Sequence, residues 1–254
     1  KLSETGVKIL VNSQVKAILG DDEVTGVRLV GGTEIKADMV ILAIGALPNT
    51  QLAKEAGLQL GYKDAIKTNR YMQTYTDPDI FACGDCAEKH GFFSGTSMPA
   101  MLASIATSEA RIAGSNLYSP IHQNFGTISV FSTMINGRAF AVAGLTERVA
   151  RSRNMNIVIG TAEAADTHPG GMPNSSKTKV KLVFAKGTGI LLGGSISGGR
   201  PVGEMVNVLG ACIMHQMTAY DIFQFQMGTH PALTSSPIMY PIVNAAQAVI
   251  APVL

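Results

Sequence analysis

The stretch TYTDPDIFACGDCAE, residues 74–88, can be taken in three incompatible ways, and the choice among them decides the fold. Cys83 and Cys86 close a Cys-x-x-Cys around Gly84 and Asp85. A structural zinc site needs four ligands, usually a second cysteine pair or a pair of histidines. Here Cys212 and five scattered histidines are the remaining candidates; His90 is near, and no fourth ligand suggests itself. A thioredoxin-like pair wants a helix N-terminus directly after the first cysteine, to hold its thiolate. Cys83 instead ends a β-prone run, the polar loop AEKHGFFSG (87–95) follows, and a carboxylate at Asp85 would raise the thiol pKa values. The third reading sets Asp85 at the C-terminal end of a parallel strand, where open α/β sheets bind ligands. Gly84 then lets backbone come close to a cofactor, and the carboxylate accepts hydrogen bonds from sugar or polyol hydroxyls. A Gly-Asp alone is a weak signal, so the flanks decide.

Upstream, residues 7–38 hold three β-rich runs separated by GDDEVTG (20–26) and GGTE (31–34), two hairpin-type signals. MVILAIGAL (39–47) is continuously apolar, the pattern of a strand buried on both faces, and Gly45 and Pro48-Asn49 turn the chain at its end. A short helix is expected at about 50–56, closed by Gly57. A short strand, a polar loop with Asp77-Pro78 and a strand around 80–83 follow. The apolar spacing predicts a helix over 99–116, with Ser97 to cap its start and Gly114 near its end. Texture changes at 118–125, where a domain boundary is expected. Residues 126–200 are strand-rich, a helix of roughly 18 residues is expected within 201–222, and a last helical segment at 235–251 carries Pro237 and Pro241.

Composition narrows the classes. Of 254 residues only 15% are charged, the net charge is +2, and the mean hydropathy is +0.22. Part of that apolar surface is expected to meet something outside the chain. No basic block with interleaved aromatics points to nucleic acid, and no apolar run is long enough to cross a bilayer. Three scattered cysteines are not a secreted disulfide framework, which makes the cytoplasm the default. The chain opens on Lys1 and enters an apolar run almost at once, as a piece of something longer would.

Three motifs in order carry a family resemblance: VILAIGALPNT (40–50), TYTDPDIFACGDCAE (74–88) and LASIATSEARIAGSNL (102–117). Together they resemble the flavoprotein pyridine nucleotide–disulfide oxidoreductases, a family that includes disulfide reductases, NADH oxidases and coenzyme A disulfide reductases. The resemblance implies an α/β plus α+β fold, the remnant of a protein with two dinucleotide-binding domains followed by an antiparallel-sheet-plus-helices dimerisation domain. Residues 1–46 then correspond to the end of an NAD(P)-binding domain, 47–120 to the second segment of an FAD-binding domain, and 121–254 to an interface domain that forms a homodimer. The phosphate-binding glycine motifs and the redox cysteine segment are expected upstream of Lys1.

The resemblance further implies that Asp85 bonds a ribityl hydroxyl of FAD while Gly84 permits the approach. Leu102, Ala103 and Ser104 take the place of a helix N-terminus aimed at the flavin pyrimidine edge, although the family often has proline where Ser104 stands. Gly45 falls where the chain crosses between the dinucleotide domains, or is a plain strand-end turn. The cysteines become bystanders. In GTHPALTSSPIMYPIVNAAQAV (228–249), His230-Pro231 matches the histidine that disulfide reductases present to the partner's active site. The acid expected five residues on is Ser235, and the tyrosine that NADH oxidases and coenzyme A disulfide reductases place before Ser-Pro is that same Ser235. His230 is thus either an acid/base or an interface residue. A second His-Pro, in DTHPGGMP (166–173), reads as a loop between strands. The implied function is hydride transfer from NAD(P)H to FAD and on to oxygen, a disulfide or another acceptor; the alternative is a noncatalytic dimerisation module that binds no cofactor alone.

Overall fold

The computed structural model describes residues 2–250, in two compact units divided in sequence between Asn49 and Thr50. In the first unit, β1 (Val15–Leu19), β2 (Gly26–Leu29) and β3 (Glu34–Lys36) form an antiparallel meander in chain order. Both hairpin signals are realised. Gly20 has φ +116, and a Cβ there would stand 1.8 Å from the Glu23 carbonyl oxygen, so only glycine fits this turn. The expected strand at 39–47 is not formed: Ile41, Leu42 and Leu47 are exposed, and Ile44 is 90% exposed. A run buried on both faces needs a ladder on each side, and among the described residues no strand pairs with this one. The apolar run at 7–11 is likewise unpaired.

The second unit begins with α1 (Gln51–Glu55), ended by Gly57 at φ +72. Residues 58–98 are a weave of single bridges: Ile66 pairs with Ala87 in parallel, and Gln73 with Phe81 antiparallel. The regular parallel strand expected at 80–83 is therefore reduced to bridges, because no continuous neighbour lies beside it among the described residues. A small core of Ala53, Ile66, Met72, Ala82, Ala87 and Ala113 gathers here, with Cys83 and Cys86 against it. Helix α2 spans Ala103–Asn116 and starts four residues later than expected. Ser97 does not cap it, because its hydroxyl is engaged by Glu88 at 2.7 Å. At the helix end Asn116, 2% exposed, donates to the carbonyls of Tyr71 and His122 and accepts the N–H groups of Ile121 and His122. This one amide anchors the linker that follows.

Five antiparallel strands then pair in the order β4-β5-β8-β7-β6: β4 (Val130–Ile135), β5 (Arg138–Gly144), β6 (Ile157–Ala165), β7 (Lys177–Ala185) and β8 (Leu191–Gly198). Strict alternation aims the side chains. Thr178, Val180, Leu182 and Phe184 are buried, while Lys177, Lys179 and Lys181 are exposed between them. The short α3 (Glu147–Ser152) follows β5, and α4 (Val202–Met214), α5 (Ala219–Phe223) and α6 (Pro241–Ile250) contribute to the main core with that buried face. Gly160 marks how close α6 comes, since a Cβ there would lie 1.9 Å from the Ala245 carbonyl oxygen. The single helix expected within 201–222 is two. Gln216 turns left-handed at φ +50, the Met217 carbonyl accepts the Leu191 N–H, and Thr218 opens a new helix through a capping box with Asp221. Pro241 begins α6, where a missing N–H costs nothing. Antiparallel sheets and helices in this mixture agree with the expected fold class. No helix among the described residues is long and apolar enough to cross a membrane.

Candidate functional site

Gly84, Asp85 and Cys86 form one tight turn, with Gly84 at φ +76 and the Ala87 N–H returning to the Gly84 carbonyl at 3.0 Å. A Cβ on Gly84 would stand 3.5 Å from Ala106 Cβ, so the turn lies against the first turns of α2. A buried ion pair ties the two together. Glu109 Oε2 accepts both the Gly84 N–H and the Lys89 ammonium, each at 2.9 Å. Lys89 Nζ also donates to the Ala87 carbonyl at 2.8 Å and to the Gly84 carbonyl. Both charged side chains are 3% exposed. Burial pushes the Glu109 carboxyl above its ordinary range, with the Lys89 ammonium opposing the shift. Asp85, one residue on, is exposed, and no hydrogen bond engages its carboxylate among the described residues.

The N-terminus of α2 has no side-chain cap. Leu102 is extended, its carbonyl accepts the N–H groups of Ile105 and Ala106, and the amides of Ala103 and Ser104 lead the helix. Uncapped amides and the helix dipole make this end receptive to negative charge. The turn that bears Asp85 thus packs on the first turn of a helix whose start is uncapped. Gly45, in the other unit, has φ +93 in irregular backbone with open space around it.

The cysteines lack the environment of reactive thiolates. Cys86 Sγ donates to the Cys83 carbonyl at 3.3 Å, and burial, with Cys86 and Glu109 nearby, pushes the Cys83 thiol up. Cys212 lies in the main core, where burial raises its thiol to about 11. Among the described residues no group of three or more His, Cys, Asp or Glu is placed to hold a metal ion.

His230 is exposed, and its Nδ1 accepts the Ala232 N–H at 3.2 Å. That bond fixes the neutral ring as the Nε2–H tautomer, with Nε2 as the outer atom. Ser235 does not orient it: its hydroxyl is buried and donates to the Ala165 carbonyl at 2.5 Å. The loop of DTHPGGMP does lie between β6 and β7, and it is tied to the first His-Pro. His168 donates its N–H to the Pro231 carbonyl at 2.9 Å, and its Nδ1 pairs with the Thr234 carbonyl at 3.0 Å.

Sequence reasoning missed Lys89, Glu109 and this link. Glu109 had a readable signal, since it shares a helical stripe with Ala113 and Asn116 at the i+4 and i+7 positions, all buried. Lys89 had none, because a lysine in a polar loop reads as solvated.

Comparison with known proteins follows the same outline. Residues 1–110 match the family model described as pyridine nucleotide-disulphide oxidoreductase, and residues 130–238 match that family's dimerisation domain. The chain is 30% identical over 249 residues to an NADH oxidase of Methanocaldococcus jannaschii, covering 97% of this chain and 53% of that one. It superposes on a NAD-dependent persulfide reductase from A. fulgidus with a TM-score of 0.87 and 27% identity, over 98% of this chain and 45% of that one. A water-forming NADH oxidase from Lactobacillus brevis gives 0.86 and 27%, over 98% and 54%. The chain spans about half the length of the curated relatives it matches along its whole extent.

Proposed function

The chain belongs to the pyridine nucleotide-disulphide oxidoreductase family, and from that premise we propose that it serves a homodimeric flavoprotein passing hydride from NAD(P)H to FAD and on to oxygen, a disulfide or a related sulfur acceptor. Residues 1–46 are assigned to the NAD(P)-binding part, with Gly45 at its exit, 47–120 to the FAD-binding part, and 121–254 to dimerisation. One observation carries the reading: the turn that bears the unengaged Asp85 carboxylate packs, through Gly84, against Ala106 in the first turn of a helix whose N-terminus is uncapped.

That pairing fits a flavin. FAD, when bound, supplies the carrier that takes a hydride from nicotinamide and releases its electrons to an acceptor. Asp85 would accept hydrogen bonds from ribityl hydroxyls, and Gly84, lacking a Cβ, would leave the approach open. The amides at the start of α2 would serve negative charge developing at a pyrimidine edge, and fixed donors stabilise such charge without reorganising. His230, with Nδ1 accepting a backbone N–H, would present Nε2–H as a hydrogen-bond donor across the dimer.

The test is to load FAD into the purified enzyme that carries this sequence and then add NADH or NADPH without oxygen. The expected result is a visible flavin spectrum that bleaches on reduction. A second reading, a dimerisation module without its own cofactor, is favoured by the unpaired apolar run at 39–47; failure to bind flavin would support it.

A further inference from the structure

Lys89 and Glu109 do more at the turn than neutralise one another. The three ammonium protons of Lys89 meet three acceptors, the Gly84 carbonyl, the Ala87 carbonyl and Glu109 Oε2. Glu109 in turn takes the Gly84 N–H. Both backbone polar groups of Gly84 are therefore held by the pair, one by each partner. Glu109 sits within α2 and Gly84 directly precedes Asp85, so this clasp fixes the carboxylate relative to the helix start. Burying two charges has a desolvation cost that apolar residues of like volume avoid, and such replacements are often neutral for stability. Apolar residues, however, could not hold a peptide group at both ends.

We propose that the buried Lys89–Glu109 pair is a positioning device that sets Asp85 against the N-terminus of α2 and thereby governs flavin affinity and reduction potential. The proposal rests on the FAD reading above. Neither side chain touches the flavin; both act through Gly84.

The test uses the flavin-loaded enzyme that carries this sequence and compares wild type with K89M/E109L, E109D and Asp85→Ala. Measured are the FAD dissociation constant, the flavin reduction potential and the unfolding midpoint of the flavin-free protein. K89M/E109L is expected to fold with a lowered midpoint, since the Gly84 N–H and the Ala87 carbonyl lose their partners, to bind FAD about tenfold more weakly, as loss of one or two net hydrogen bonds would give, and to show a shifted potential. E109D keeps the charges but draws the acceptor back by one methylene, and should fold while weakening FAD in the same direction. It carries the test if the double variant fails to fold. Wild-type FAD affinity and potential in a folded K89M/E109L or E109D protein overturn the proposal alone. An Asp85→Ala protein that binds FAD like wild type, or a wild type that binds none, overturns the FAD reading and this proposal with it.

Discussion

The strand sheet of residues 130–198 and the turn at 84–89 are both held in place, by opposite means. Against the sheet, Leu182, Phe184, Leu209 and Ile213 are fully buried in a single apolar cluster. Their attraction is non-directional and follows the area removed from water. Around the turn the core is small and made largely of alanine, and the fixed points are a lysine, a glutamate and the amide of Asn116. Those contacts are directional, and each leaves a stranded polar group if one partner goes. The apolar sheet supplies stability that tolerates exchange among similar volumes, whereas the polar turn holds one particular geometry. A cofactor site needs the second property more than the first.

That contrast can be broken at either side. Phe184→Ala should have the largest effect, about 4 kcal/mol of lost stability through transfer and cavity terms, read by denaturant unfolding. Lys89→Ala should follow at about 3 kcal/mol, since it strands a buried carboxylate, while K89M/E109L, which strands only neutral backbone groups, should cost less, about 2 kcal/mol. Additive losses in that double variant would place the turn in the same class as the sheet. Thr218→Ala removes the cap that separates α5 from α4 and should cost about 1 kcal/mol, seen as a small shift of the unfolding midpoint.

The smallest effect is on pH. Burial works to raise the Glu88 carboxyl, yet the Ser97 hydroxyl, the Tyr62 N–H and nearby His90 hold it below its ordinary 4.5. A carboxyl depressed in the folded state contributes stability above its unfolded value and loses it as pH falls through the folded one. The unfolding midpoint should therefore drop below about pH 4.5, and Glu88→Gln should flatten that part of the profile. A profile unchanged by the substitution would assign acid sensitivity elsewhere.

Legibility in the sequence followed the same divide. Alternation in KTKVKLVFA (177–185) and the two hairpin signals were readable because each depends on local period or turn chemistry. MVILAIGAL at 39–47 is more apolar than β7 yet is no strand, since strand formation depends on a neighbour as much as on the run itself. The break at Gln216 was hidden by the continuous apolar pattern of 201–222, although Thr218 and Asp221 spelled out the capping box. At the candidate site, Gly84 and Asp85 stood out by type and context. Their clasp did not, because Lys89 and Glu109 lie 20 residues apart and only folding brings them together.

The central claim is that the residues between the two cysteines, not the cysteines, make the site. Its most direct test is FAD affinity in the flavin-loaded enzyme carrying Asp85→Ala, set beside the double change Cys83→Ala and Cys86→Ala. The account predicts weakened flavin binding with the first and nearly wild-type binding and turnover with the second. Turnover abolished by the cysteine change, with flavin binding untouched by the aspartate change, would contradict it.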